Sequence, residues 1–320
     1  MLPATGPSRR ATLFITLITI AALVLTLLWA RQAKAVEGAI SPYLKGSAGF
    51  MSGFLPPQSG LIIVNPFYYH FNGSVGSEVR NGNVELGIDV KVDAPLLQGV
   101  YTTSWKPFGA TYGFGAVIGW VWADINATVV APAGNIALSG DNNGFGDSLV
   151  MPVILGWHSG NWHMIASLPF YIPTGAFETG KLNVGKNVWG LMPTFAVTWF
   201  DPMSGWDLSA SSTLVFLTEN HATDYQSGVL FHLDWAIGKH LGKWEIGVAG
   251  NFVEQISNDG GSGAKLGGFK AHSIGIGPAV SYSTMLGPAP LTFSAKWEPD
   301  VSASHTFKGD VIMVSLVAVL

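Results

Sequence analysis

Bulky apolar residues recur at every second position along most of the chain after residue 60. The clearest case is the stretch VLFHLDWAIG at 229–238, in which the intervening residues are polar or small. The same alternation is present at 84–93, 111–122, 244–252 and 291–298. A period of two is typical of a β-strand with one apolar and one polar face. The pattern therefore predicts an all-β protein after residue 60.

Twelve strands can be placed by this pattern, and their connections alternate in length. The strands are predicted at 61–73, 84–105, 110–130, 147–158, 161–172, 187–200, 206–218, 226–240, 243–256, 270–285, 291–299 and 307–320. Tight connections fall at 106–109, 159–160, 201–205, 241–242 and 286–290, and longer ones near 74–83, 131–146, 173–186, 219–225, 257–269 and 300–306. An even strand number, with short turns at one rim and long loops at the other, is typical of a transmembrane antiparallel β-barrel. We expect one such barrel over residues 61–320, with both ends periplasmic.

The composition favours lipid over water as the solvent of the outer face. Only 11% of the residues are charged, against about 25% in an ordinary soluble protein. A soluble sandwich or lipocalin-like binder would show the same alternation and is the rival fold. The net charge of −4 argues against a nucleic-acid partner, because phosphate binding requires a basic surface. The absence of cysteine excludes disulfides and thiolate sites.

The first 35 residues have the features of a secretory signal peptide. Arg9 and Arg10 precede an apolar stretch at 11–30, and the sequence AKA at 33–35 resembles a cleavage site. An uncleaved anchor helix is the alternative, because about 20 apolar residues can also span a bilayer. An exported barrel of this kind belongs in the outer membrane of a Gram-negative bacterium. Its expected partners are outer-membrane lipid and the barrel-insertion machinery, and the oligomeric state is left open.

The alternation also assigns side chains to the two faces of the barrel. We expect Trp120, Phe231, Trp235 and Trp244 to face lipid. Charges in a bilayer must face inward, so their position would be expected on stability grounds alone. The residues predicted to line the lumen are Glu85, Asp89, Lys91, Asp93, His163, Asp207, His232, Asp234, Glu245, Asn251, Lys296 and Glu298. They would form a narrow, mildly anionic path.

Residues 36–60 have no place in the strand count, yet they are too apolar for a free tail. Their apolar and stiffening residues are Phe50, Phe54, Leu55, Pro56 and Pro57. One hypothesis is that this segment folds into the lumen as a plug. The alternative is a periplasmic tail attached to the rim.

Catalytic and metal chemistry find little support in the sequence. His232 and Asp234 share a strand face, but no serine is tied to them by spacing. The eight histidines show no His-x-x-His or Glu-x-x-His spacing, so no metal site is expected. We therefore expect no catalytic residues and no cofactor.

Several short motifs, taken in order, resemble the meta-pathway phenol-degradation family. They include GFLPP at 53–57, GFGD at 144–147, YQSG at 225–228, and Gln255 followed by Asp259. The resemblance covers roughly residues 40–320 and implies an outer-membrane barrel associated with aromatic catabolism. It suggests a channel for passive uptake of small hydrophobic or aromatic solutes. A lipid-active outer-membrane enzyme and an adhesive or structural barrel are the alternative functions.

Overall fold

The computed structural model describes residues 41–79, 84–131, 134–264 and 270–320. Twelve antiparallel strands make up one sheet in this part of the chain. Their bounds are β1 Ile62–Val79, β2 Val84–Thr102, β3 Thr111–Ala131, β4 Gly134–Phe145 with Ser148–Ser159, β5 Trp162–Ser167 with Phe170–Ile172, β6 Gly190–Leu191 with Thr194–Asp201, β7 Trp206–Leu217, β8 Leu230–Leu241, β9 Trp244–Gln255, β10 His272–Leu286, β11 Ala289–Ser304 and β12 Lys308–Val319. Among the described helices, none combines the length and hydropathy needed to cross a membrane.

Each strand pairs with the next one along the chain, and β12 pairs back onto β1 from Ile63↔Val319 to Ser74↔Lys308. The sheet is thus a closed barrel without free edges, as lipid requires of a spanning sheet. The predicted fold class, a transmembrane antiparallel barrel of twelve strands, is confirmed. Strands β5 and β6 are interrupted at Pro169 and Pro193, where proline supplies no N–H to the ladder.

Three of the predicted long connections are wrong. The β1–β2 ladder continues to Val79↔Val84, β3 and β4 remain paired as far as Ala131↔Gly134, and β11 extends to Ser304. These stretches contain many small and polar residues, so their sequence shows no regular alternation of apolar side chains. Pairing of the main chain extends the hairpins nevertheless.

Long connections at 173–189, at 218–229 and after Gln255 define what we call the loop rim. Tight turns at 160–161, 202–205, 242–243 and 287–288 define the opposite turn rim. Large apolar side chains remain exposed on the outward face between the rims, including Trp120 and Trp244. Phe231 and Trp235 alternate along β8 with the buried His232, Asp234 and Ala236, so they belong to the same face. This apolar belt suits a bilayer.

An arginine on the outward face should destabilise the barrel more than one on the inward face. Val248, fifth of twelve residues in β9, is 41% exposed on the outer belt, whereas Ser283 faces the interior cavity. Val248→Arg is expected to lower the free energy of unfolding by about 2–4 kcal/mol, because the charge would lie in hydrocarbon. Ser283→Arg should cost less. Urea titration of the two variants in lipid vesicles measures both values, and equal losses would contradict the assignment of faces.

Candidate functional site

The segment that precedes β1 lies against the inward side chains of the barrel wall. Asp234, on β8, accepts hydrogen bonds from Gly46 N at 2.9 Å and from Ala48 N at 3.0 Å. The hydroxyl of Tyr43 donates to the same carboxylate at 2.9 Å. A single buried side chain therefore holds three donors of the segment.

Further contacts connect the segment along the inner side of the wall to strands between β8 and β4. Met51 N donates to Asp207 Oδ2 on β7 at 2.8 Å, and Gly53 N donates to Thr198 Oγ1 on β6 at 3.0 Å. The carbonyl of Leu55 lies 2.8 Å from His158 Nε2 on β4. Small residues make this close approach feasible, since a Cβ on Gly53 would collide with the main chain at Thr198.

Apolar residues of the segment fill gaps between the same strands. Leu55 packs into a buried cluster with Val100, Val117, Met151 and Ile154. Phe50 covers a patch of small residues formed by Ala236, Ala249 and Ala279. The ring of Phe54 lies 5.2 Å from that of His158 and 5.1 Å from that of His163. Pro56 and Pro57 line the cavity beside the segment.

Two ion pairs lie at the N-terminal part of the described segment. Lys45 Nζ lies 2.6 Å from Asp300 Oδ2, and Lys296 Nζ lies 2.9 Å from Glu298 Oε1. Asn251 Nδ2 donates to Glu298 Oε2 at 2.6 Å. Pairing offsets the desolvation cost of the buried charges. Lys45 is the segment's own contribution, so removing the segment would leave Asp300 without this partner.

The predicted lumen residues divide into two groups. Those on β5 to β11 face the interior and contact the segment or one another: His163, Asp207, His232, Asp234, Glu245, Asn251, Lys296 and Glu298. Their part in a conducting path stays a prediction. The side chain of Glu85 lies outside the described residues.

The assignment of β2 is wrong, because Asp89, Lys91 and Asp93 lie on the outward face. Val90 and Val92, which alternate with them, line the interior cavity. Asp93 is paired with Lys91 Nζ at 2.9 Å and with His70 Nδ1 at 2.7 Å. Asp89 is opposite Ser74, where the β1–β12 ladder ends at the loop rim. Asp89 thus lies at the loop rim and Asp93 is paired, so the expectation that charges face inward does not hold along β2.

A cavity of about 1840 Å³ runs beside the segment. Its lining extends from Gly185 and Lys186 near the loop rim to Pro288 and Pro290 at the turn rim. One wall, built by β1 to β4, is mostly apolar and includes Phe67, Val90, Val92, Leu96, Val117 and Met151; Asn65, Gln98 and His158 of the same strands also line the cavity. The adjoining wall, built by β11 and β12, is more polar: it carries Thr292, Ser294, Lys296 and Ser315 beside the apolar Met313, Val317 and Val319. The space left by the segment therefore has one predominantly apolar side.

Asp147 and Asp259 hold the loops to the barrel through hydrogen bonds. Asp147 ends the GFGD motif at 144–147, and Asp259 is the aspartate that follows Gln255. Asp147 accepts hydrogen bonds from Tyr171 Oη at 2.6 Å, Lys186 N at 2.7 Å and Gly175 N at 2.8 Å. Asp259 accepts hydrogen bonds from Tyr225 Oη, Gly228 N and Gln255 Nε2. Burial raises the pKa of Asp259 to about 7, and the hydrogen bond from Gly228 N–H opposes that rise.

A serine that the sequence did not associate with His232 lies beside it. Ser41 Oγ is 3.0 Å from His232 Nε2. The other ring nitrogen, Nδ1, is buried and has no hydrogen-bond partner among the described residues. The carboxylate of Asp234 is engaged by the segment. The contact therefore lacks the group that would orient the imidazole for nucleophilic catalysis.

The chain resembles one known protein family and several solved structures. The family described as MetA-pathway of phenol degradation matches residues 72–316. The chain is similar to an outer membrane channel from Pseudomonas putida F1, with a TM-score of 0.61 and 12% identity over 88% of this chain and 99% of that chain. The transport unit of the autotransporter AIDA-I from Escherichia coli gives a TM-score of 0.43 and 12% identity over 82% of this chain and 90% of that chain. No curated protein sequence matches the chain significantly. The fold and its apolar belt are those of a barrel of the bacterial outer membrane.

Proposed function

Because the chain belongs to the meta-pathway phenol-degradation family, we propose that it is an outer-membrane channel for passive uptake of small apolar or aromatic compounds. The predominantly apolar wall that β1 to β4 present to the cavity is the observation that carries this proposal. An apolar solute can remain on such a wall while the polar wall and the segment stay hydrated. A place in aromatic catabolism is part of the same proposal and rests on the family alone.

The segment at 36–60 acts in this proposal as a plug that narrows the lumen. Its described part, from residue 41, contacts inward side chains from β8 to β4, which favours a plug over a tail attached to the rim. The domain organisation proposed is a signal peptide at 1–35, the plug at 36–60 and the barrel at 61–320. The signal peptide lies outside the described residues.

A charge on the apolar wall should slow uptake more than the same charge on the polar wall. Val92→Asp is expected to reduce uptake of a dilute aromatic hydrocarbon several-fold in a deletion strain complemented with the variant, because the solute would lose its apolar contact. Ser294→Asp, on the adjoining wall of β11 and β12, is the matched control and should change uptake little. Radiolabelled toluene at growth-limiting concentration provides the measurement.

The same strains test the alternative functions. Normal uptake in the deletion strain, with no related barrel to substitute, would remove the channel proposal. Lipid hydrolysis by pure protein that is lost in His232→Ala would favour an enzyme instead. Loss of surface adhesion without loss of uptake would favour an adhesive barrel.

A further inference from the structure

Three ligand-type side chains meet inside the barrel near the turn rim. Asp207 is second in β7, His240 is next to last in β8, and Glu245 is second in β9. The strand register pairs His240 with Glu245 and places Asp207 opposite Gly238, two residues away. One ligand atom from each side chain lies within 4.8 Å of the other two. Neighbouring strands thus bring together residues that have no ligand spacing along the chain.

The cluster contains buried polar atoms without partners. Glu245 is 3% exposed, and its Oε1 makes no hydrogen bond; neither does the buried Nε2 of His240. These two atoms lie 3.3 Å apart. Within the described residues, neither carboxylate forms an ion pair with a lysine or an arginine. Buried carboxylates are normally paired or bound to a metal, and here a neutral His240 would leave both carboxylates without a compensating positive charge.

We propose that Asp207, His240 and Glu245 bind one divalent transition-metal cation of the Zn²⁺ type. One imidazole and two carboxylates form a mixed donor set that suits such ions. The separation of His240 Nε2 and Glu245 Oε1 is close to the roughly 3.3–3.4 Å between two ligands of a tetrahedral ion with bonds of about 2.0–2.1 Å. His240 and Glu245 also line the interior cavity, so a water from the cavity can complete the coordination.

Hydrogen bonds from the surroundings orient the ligands, and each carboxylate oxygen that accepts one keeps a second lone pair. Ser209 Oγ donates to Asp207 Oδ1 at 2.6 Å, and Met51 N donates to Oδ2 of the same carboxylate. Ser281 Oγ donates to Glu245 Oε2 at 3.3 Å, which leaves Oε1 for the ion. Supporting hydrogen bonds of this kind are typical of metal ligands.

A glycine and a residue of the segment shape the space beside the cluster. A Cβ on Gly238 would collide with Glu245 Oε1 and would lie 2.8 Å from the ring of Phe50. Only glycine leaves room for the carboxylate, and Phe50 then covers it. The bound cation would therefore lie beneath the segment at Phe50 and Met51.

Metal titration of the untagged mature protein in detergent tests the site directly. Isothermal calorimetry with Zn²⁺ should give one saturable site per chain, and Co²⁺ should give a visible absorption band from the same site. Glu245→Gln and His240→Asn are each expected to weaken binding at least about tenfold. His272→Ala is the matched control, because His272 pairs with Glu254 at 2.7 Å but belongs to no such three-residue cluster among the described residues. The affinity of the His272→Ala variant for Zn²⁺ should equal that of the wild type.

Three outcomes would overturn the site: no saturable binding by the wild type, equal affinity in Glu245→Gln, or a loss of affinity in His272→Ala as large as in His240→Asn. The first of these would mean that the two carboxyl groups share a proton instead. Heat-modifiable gel migration shows that each variant is folded, and Asp207→Asn replaces any variant that is not. Because the readout is binding, its result is independent of whether the barrel transports apolar solutes.

Discussion

Deletion of residues 38–55 should leave a folded barrel whose single-channel conductance is several-fold higher and whose selectivity is looser. The strand ladder closes through β1 and β12 without these residues, so we expect the barrel to form without them. Their removal would join the space of the segment to the cavity of about 1840 Å³. Planar-bilayer recording of both proteins, each shown to be heat-modifiable, measures the change. Unchanged conductance in a folded deletion protein would place the segment outside the pore.

Asp234→Ala is expected to free the segment without removing it. The substitution leaves the N–H groups of Gly46 and Ala48 and the hydroxyl of Tyr43 without their acceptor. Each buried donor left unpaired costs about 1–3 kcal/mol, so the docked state should lose several kcal/mol. We expect frequent openings to the conductance level of the deletion protein.

Ser211→Ala is the control for this substitution. Ser211 is buried on β7 directly opposite Asp234 in the ladder, and it makes none of these three bonds. Its recordings should match the wild type. Equal gating in the two variants would show that Asp234 does not hold the segment.

The sequence predicted the wall of the barrel well where one face touches lipid. Along β7 to β9 the outward residues must be apolar, so the alternation revealed both the strands and inward residues such as Asp207 and Asp234. Along β2 the same reasoning failed. There, Val90 packs inward with Tyr69, Phe71 and Phe307, while the charged residues lie on the outward face, where Asp93 is paired with Lys91 and His70. Alternation along β2 records which face is packed and does not exclude outward charge.

The interior site depends on contacts that no spacing along the chain contains. Asp234 recognises main-chain N–H groups of residues about 190 positions away, and the same N–H groups exist in every sequence. The cluster of Asp207, His240 and Glu245 depends on the register between three strands. Alternation does not fix that register, because a shift of two residues keeps every side chain on the same face. The apolar residues Phe50 and Leu55 did indicate that the segment packs against a surface shielded from water.

A disulfide between residues 55 and 156 tests most directly whether the segment lies inside the barrel. The chain has no cysteine, and a Cβ on Gly156 would lie 2.8 Å from that of Leu55, about 1 Å short of the usual disulfide value of roughly 3.8 Å. Leu55→Cys with Gly156→Cys should therefore cross-link in outer membranes after a small adjustment. The control pairs Leu55→Cys with Leu155→Cys, whose side chain points to the opposite face. Cross-linking of the 155 pair, with the 156 pair remaining reduced, would contradict an interior segment.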